Sequence, residues 1–208
     1  MSLVIDCFVL DRVYAANCWV VRTAADAPAA VIDPGGDPEP LLAAGVDVAG
    51  ILVTHGDVDH IAGVARLAER SQAEVWMPAG EADALRSGRT RGGMHVAPHT
   101  PEHEVGGGDK VSVAGIDFTV VDVPGHSSGH VAYYVEGLLF SGDLLFERSV
   151  GRVDLAGGDW ETLLASVRTL LDRFGPDTTV YPGHGGPTTL GRELEINPFL
   201  HELRSTAQ

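Results

Sequence analysis

The sequence predicts an α/β fold in which two β-rich halves pack face to face, with helices on the outside. Two series of short β-rich runs occur, and each is followed by segments of helical periodicity. Gly, Pro and Asp punctuate almost every run. Apolar residues make up 44% of 208 residues, enough for one well-buried core, so a single domain over 1–208 is expected.

The first series is "LVIDCFVL", "ANCWVVR" and "AAVID", all rich in strand-forming residues and closed by the turn signal "DPGGDP". "EPLLAAG" reads as a short helix ending at Gly45, and "GILVTH" as a buried strand that delivers His55 at its C-terminal end. In "HIAGVARLAER" the residues Ile61, Val64, Leu67 and Ala68 share one helical face, so a helix is expected over 60–70. "EVWMP" is a strand and "AGEADALRSG" a weak helix. The run "RTRGGMHVAPHTPEHEVGGGDK" has no periodicity and reads as a long loop, placed so that it could cover a site as a lid. Within it, Pro98 and Pro101 rule out the helix that would align His95, His99 and His103, so these three are expected on the loop surface.

The second series is "KVSVAG", "IDFTVVDVPGH", "HVAYYVEG" and "LLFSGD". "DWETLLASVRTLLDRFG" follows as a helix opened by the N-cap Asp159 and closed by Gly175. "TTVYPGH" is the last strand, and a helical tail begins near Leu190, with His201 on its surface.

A formal charge of −15 leaves too few cations for a phosphate-tracking surface, so nucleic acid is excluded as an expected partner. The N-terminus has no basic region and no segment approaches about 18 uninterrupted apolar residues, so no membrane association and a cytoplasmic location are expected. Cys7 and Cys18 sit in strand-like runs and read as structural thiols.

Metal-competent side chains gather where strands end. "VTHGDVDH" supplies His55, Asp57, Asp59 and His60; "VPGH" supplies His126, "FSGD" Asp143 and "YPGH" His184. Short loops at one edge of a sheet sandwich would bring all seven together. Neutral imidazole and carboxylate suit zinc or iron, and a carboxylate such as Asp143 is able to bridge two cations. Two such ions can share a hydroxide, polarise a carbonyl and stabilise the resulting oxyanion, which is the chemistry of hydrolysis.

These residues resemble the signature of the metallo-β-lactamase superfamily, His-x-His-x-Asp-His followed by a later histidine, an aspartate and a last histidine. The resemblance covers nearly the whole chain. "PGHSSGHVAYY", "SGDLLF", "SVGRVDLAGGDW" and "YPGHGGPTTLGRELEINPFL" look like the short bacterial glyoxalase II-like hydrolases. It implies a four-layer αββα sandwich and one or two divalent metal ions, zinc first, with iron or manganese as alternatives. One ion would take His55, Asp57 and His126, the other Asp59, His60 and His184, with Asp143 shared. The implied activity is hydrolysis of a small-molecule thioester of the hydroxyacylglutathione kind, by attack of a metal-bound hydroxide that Asp59 fixes as a catalytic residue. The C-terminal helical domain with which longer glyoxalase II enzymes grip glutathione is not expected here, so a different thioester or a lactone is also open. A second implied class is a mononuclear iron oxidoreductase resembling persulfide dioxygenases, built on His55, His126 and Asp143. A third is a binding protein whose site has decayed.

The departure from the superfamily pattern is Asp57, where the pattern has histidine. A shorter, anionic side chain either ligates directly, accepts a hydrogen bond from outside the coordination shell, or does neither. As a ligand it would make a bound water less acidic and shift the first site's preference toward iron or manganese. Of the remaining polar residues, His130 reads as structural. Asp33 either orients a ligand histidine or starts a turn, and Arg152 and Asp154 pair to brace a loop.

Overall fold

Side-chain alternation along the strands divides the apolar residues among three layers, and these layers hold two sheets and their helices together. The computed structural model describes residues 3–204. Met1, Ser2 and residues 205–208 lie outside the described residues.

The first half runs β1 (Val4–Val9), β2 (Asn17–Arg22), β3 (Ala29–Ile32), α1 (Glu39–Ala43), β4 (Val48–Leu52), α2 (Val58–Ile61), α3 (Val64–Ser71), β5 (Glu74–Pro78), α4 (Ala82–Ser87) and β6 (His103–Val105). Its six strands form one sheet in sequence order, antiparallel from β1 to β3 and parallel from β3 to β6. The second half contains β7 (Lys110–Val113), β8 (Ile116–Asp122), β9 (Val131–Val135), β10 (Leu138–Gly142), a small hairpin of β11 (Leu145–Phe146) and β12 (Ser149–Val150), and α5 (Trp160–Arg173). β13 (Thr179–Pro182), β14 (Thr188–Thr189), α6 (Leu190–Ile196), a 3-10 turn at Pro198–Leu200 and α7 (His201–Arg204) complete it. The second sheet has the order β14-β13-β10-β9-β8-β7.

In β3, Ala30 and Ile32 face the other sheet while Ala29 and Val31 face helices; in β2, Trp19 and Val21 face inward while Cys18 and Val20 face outward. Trp19, Ile32 and Leu52 meet Phe118, Tyr133 and Phe140 between the sheets. Leu41, Val64, Leu67 and Leu85 cover the outer face of the first sheet, and Leu163, Val167, Leu170 and Leu190 cover that of the second. The architecture is therefore the expected four-layer αββα sandwich. Both faces of the central strands are buried, which explains their near-continuous apolar runs. Among the described residues no helix is long and apolar enough to cross a membrane.

Asp159 caps α5 as expected, accepting from Thr162 N at 2.8 Å. The helix itself stops at Arg173, with extended Phe174 rather than Gly175 at its C-cap. Three other expectations need correction. The helix expected over 60–70 is two helices, because the loop after β3 intrudes at Gly63: Gly63 N donates to Pro34 O at 2.8 Å, and a Cβ on Gly63 would lie 2.0 Å from Gly36 O. The long loop after α4 ends in β6, which pairs parallel to β5 with Trp76 opposite His103. His103 is thus a strand residue, stacked on Trp76 with ring centroids 4.5 Å apart and hydrogen-bonded to Glu74. Of the two cysteines, Cys18 is buried but Cys7 is exposed on β1.

The same loop after β3 also fixes the start of α2. Gly35 lies so close to it that an added Cβ would fall 1.4 Å from Asp59 O, which no rotamer change relieves. Gly35→Ala is expected to cost about 3 kcal/mol by overpacking. Urea unfolding should show a lowered midpoint at unchanged slope, and an unchanged midpoint would contradict this packing.

Candidate metal centre

Parallel strands deliver their C-terminal ends to one rim of the sandwich, and the seven residues singled out in the sequence meet there. His55 follows β4 by three residues, Asp57 is the N-cap of α2, and Asp59 and His60 lie within α2. His126 follows β8 through a Pro-Gly turn, Asp143 follows β10 directly, and His184 follows β13. Three sets of potential ligand atoms lie within 4.8 Å of one another: His55, Asp57 and His126; Asp59, His60 and His184; and His55, His60 and Asp143.

Buried Asp33 organises the histidines. Its carboxylate accepts from Thr54 N (2.7 Å), from Thr54 Oγ1 (2.7 Å) and from His60 Nδ1 (3.0 Å). The Thr54 hydroxyl, having spent its proton on Asp33, accepts from His55 Nδ1 at 3.0 Å. This network assigns both imidazoles the tautomer with a lone pair on Nε2. Asp33 therefore orients a histidine, and it also begins a turn: its φ is 54° and its carbonyl accepts from Gly35 N at 2.8 Å.

The two Nε2 atoms so left bare face carboxylates but make no hydrogen bond. Among the described residues, His55 Nε2, His60 Nε2 and Asp143 Oδ1 are buried without a hydrogen bond. Leaving such atoms dry and unpaired is costly, and a cation between them removes that cost. Asp143 Oδ1 is 3.2 Å from His60 Nε2, and Asp143 Oδ2 is 3.4 Å from His184 Nε2. Asp59 Oδ2 is 3.3 Å from His184 Nε2. Gly183 packs close against them, since a Cβ there would lie 2.1 Å from Asp143 Oδ1 and 2.7 Å from His60 Cε1. The donor set fits a divalent cation.

Electrostatics supports the same conclusion. Burial alone would raise the Asp143 carboxyl, but His60, His184 and His55 outweigh it and hold the group well below the ordinary range. Asp59 is lowered in the same manner, against its own burial, chiefly by the hydrogen bond with His184. Burial would lower His60, yet Asp143 and Asp33 push it well above the usual histidine value. For His184, burial is likewise overcome by Asp143 and Asp59, and its pKa rises to about 9. Ionised carboxylates beside His60 and His184, both favoured in the protonated form, make a cluster in which a cation would take the place of protons.

Asp57 behaves differently. Its carboxylate is gripped bidentately by Arg91, with Nε donating to Oδ1 at 2.6 Å and Nη2 to Oδ2 at 2.7 Å. Despite burial, the bidentate Arg91 guanidinium holds its pKa far below the ordinary carboxylate range. Arg91 was not singled out in the sequence, where it sits in an aperiodic Gly-rich run. The available signal was Asp57 itself: a carboxylate in place of a histidine needs a counter-cation, and few are present. Glu81 was also missed. It bridges two rim loops by accepting from Gly56 N (3.2 Å) and Gly129 N (3.0 Å).

His130 is buried with both ring nitrogens unpartnered and its ring centroid 4.7 Å from that of His55. Burial pushes its pKa well below the usual value, so it backs the His55 ring as a neutral group. His95 and His99 stay in the loop after α4, away from the rim; His99 is 3.5 Å from Glu102. His201 is exposed at the start of α7. Arg152 pairs with Asp154 at 2.6 and 2.7 Å, and it also helps to line the cavity above the centre. That cavity holds about 420 Å³, with Asp57, Asp59, His126, Asp143 and His184 at its polar side and Tyr14, Val58, Met94 and Leu155 among its apolar walls.

The chain is 33% identical to a protein of Haemophilus influenzae described as hydroxyacylglutathione hydrolase GloC, over 83% of this chain and 87% of that one. The solved structure of BLEG-1 B3 metallo-beta-lactamase superposes with a TM-score of 0.87 at 33% identity, covering 95% of this chain and 100% of the other. That of TTHA1623 in a di-iron-bound form gives 0.80 at 38% identity, covering 94% and 100%. Residues 11–184 match the family described as Metallo-beta-lactamase superfamily. With the fold, the ordered ligand motifs and these relatives in agreement, the chain belongs to the metallo-β-lactamase superfamily.

Proposed function

We propose that the protein is a metal-dependent hydrolase of a small thioester of the hydroxyacylglutathione kind, working with zinc. The observation that carries this reading is the convergence of Asp59, His60, His184 and Asp143 beneath an open cavity, with His60 Nε2 and Asp143 Oδ1 buried and without a hydrogen bond. The thioester class is supported by the relative described as a hydroxyacylglutathione hydrolase. Asp59, His60 and His184, with Asp143 beside them, are the set assigned to a divalent cation; His55, Asp57 and His126 form the companion set. A cation held there acidifies water and polarises a substrate carbonyl.

The chain's own residues supply the rest. Asp59 faces the cavity as an ionised carboxylate, so it orients the attacking water by accepting a hydrogen bond from it. Asp33 and Thr54 keep His60 and His55 in the tautomers that ligation requires. Val58, Met94 and Leu155 give the acyl chain an apolar wall, and Tyr14 donates its hydroxyl to Met94 Sδ at 3.1 Å, tying two segments of that wall together. A volume of about 420 Å³ suits a small organic substrate and not a macromolecule.

Zinc-loaded protein is expected to hydrolyse S-lactoylglutathione faster than homoserine lactones or a cephalosporin, and chelation should abolish that activity. Asp59→Asn should lower kcat by about 100-fold or more at saturating zinc. A wild-type rate on the thioester no higher than on the other classes would discard the substrate assignment. Oxygen uptake by iron-loaded protein with glutathione persulfide would replace it with the oxidoreductase reading.

The raised His184 pKa sets a pH dependence for the metal-free protein. A histidine at about 9 in the folded chain, against about 6.5 unfolded, contributes stability that is fully present below pH 6.5 and lost as pH rises through 9. The melting temperature of metal-stripped protein should therefore fall across that window, and saturating zinc, which displaces the proton, should remove the fall. A flat profile without metal would contradict the arrangement of His184 between Asp59 and Asp143.

A further inference from the structure

The companion set is not free to take a cation in the way the other set is. Arg91 enters it from a turn closed by Thr90 N to Met94 O (3.0 Å) and Gly93 N to Thr90 O (2.9 Å), at the head of the ladder in which Arg89 pairs with His95. All five of its N–H groups are engaged. Nε and Nη2 hold the Asp57 carboxylate, the second Nη2 proton goes to His126 Nε2 at 2.7 Å, and Nη1 donates to His126 O and to Ala156 O (3.5 Å). A guanidinium cannot accept, so His126 Nε2 is the acceptor and its proton sits on Nδ1, which donates to Arg152 O at 2.8 Å. The lone pair that a cation would need from His126 is thereby spent on Arg91. Both Asp57 oxygens already accept from Arg91, Oδ2 also lies 3.2 Å from His126 Nε2, and of the three residues only His55 keeps an Nε2 without a hydrogen bond.

We infer that the Arg91 guanidinium stands in place of one of the superfamily's two cations, so that this chain carries a single divalent ion, held by Asp59, His60, His184 and Asp143. Asp57 and Arg91 are one change in two parts. A histidine at 57 beside Arg91 would offer the guanidinium no carboxylate fork, and Asp57 without Arg91 would lose its bidentate cation in a site where its side chain is only 15% exposed. Charge agrees: one divalent ion and one guanidinium balance the carboxylates of Asp57, Asp59 and Asp143. A second divalent ion would sit against the guanidinium and lack ligands. Arg91 is a positioning residue here, since it does not line the cavity.

The inference rests on the hydrolase reading, because it takes for granted that the Asp59 set binds a metal. The test is metal stoichiometry and cadmium-113 NMR of stripped, reloaded protein. Unmodified protein should take up one equivalent and show one resonance, with scalar coupling to His184 Nε2 and none to His126 Nε2. Arg91→Ala and the double variant Arg91→Ala/Asp57→His should take up two equivalents and show a second resonance coupled to His126. Two equivalents in unmodified protein, or coupling to His126 there, would overturn the inference and leave the hydrolase reading standing. So would a single equivalent in both folded variants. No uptake at all by unmodified protein would remove the hydrolase reading and the inference together. Because the coupling pattern is read on unmodified protein, a variant that fails to fold does not protect the idea.

Discussion

Asp33 accepts three hydrogen bonds in a place where water does not reach, and much of the rim depends on that carboxylate. It sits at the end of β3, and its partners are Thr54, just past the end of β4, and His60 in α2. These bonds tie two parallel strands to the helix that follows them, and the same bonds decide which nitrogen of His55 and His60 is bare. Structure and chemistry are therefore joined at one buried anion. Its anionic charge is tolerated because three donors converge on it, which is the condition under which a buried carboxylate is sustained.

Around this anchor the rim is built from groups that would be unfavourable in isolation. Ionised carboxylates crowd together, His60 and His184 are pulled toward the protonated state while His55 and His130 are pushed toward the neutral one, and buried ring nitrogens go unpaired. The sandwich supports them: residues from both sheets fill the central layer, and helices seal both outer faces. Close backbone approach does the fine placement. Gly35 and Gly183 leave no room for side chains at α2 and beside Asp143, and Glu81 clamps the two loops that carry His55 and His126. Side chains held by so many fixed partners are pre-positioned, which lowers the ordering cost of binding at the rim.

The pairing of Asp57 with Arg91 shows how one departure from a superfamily pattern is accommodated physically. A fixed positive charge with five donors satisfies the carboxylate and the neighbouring histidine together, without needing an exchangeable ion. Covalently attached charge thereby satisfies the Asp57 half of the rim, and both halves face the cavity.

The sequence alone determined the fold class, nearly every central strand, the long α5 helix with its Asp159 cap, and the group of histidines and aspartates that meets at the rim. Those features are local: periodicity marks burial, turn residues mark ends, and ligand-type side chains placed where strands end mark a common edge. The tertiary structure decided the rest. β6 joins the sheet because β5 offers it an edge, and a helix is split at Gly63 because another loop occupies its path. Asp33 bonds His60 directly and reaches His55 only through Thr54, a distinction that depends on angles between elements. Arg91 meets Asp57 from a loop 34 residues away with no period to announce it. Contacts made by irregular backbone leave no pattern in the residues that flank them, so only the folded chain reveals them.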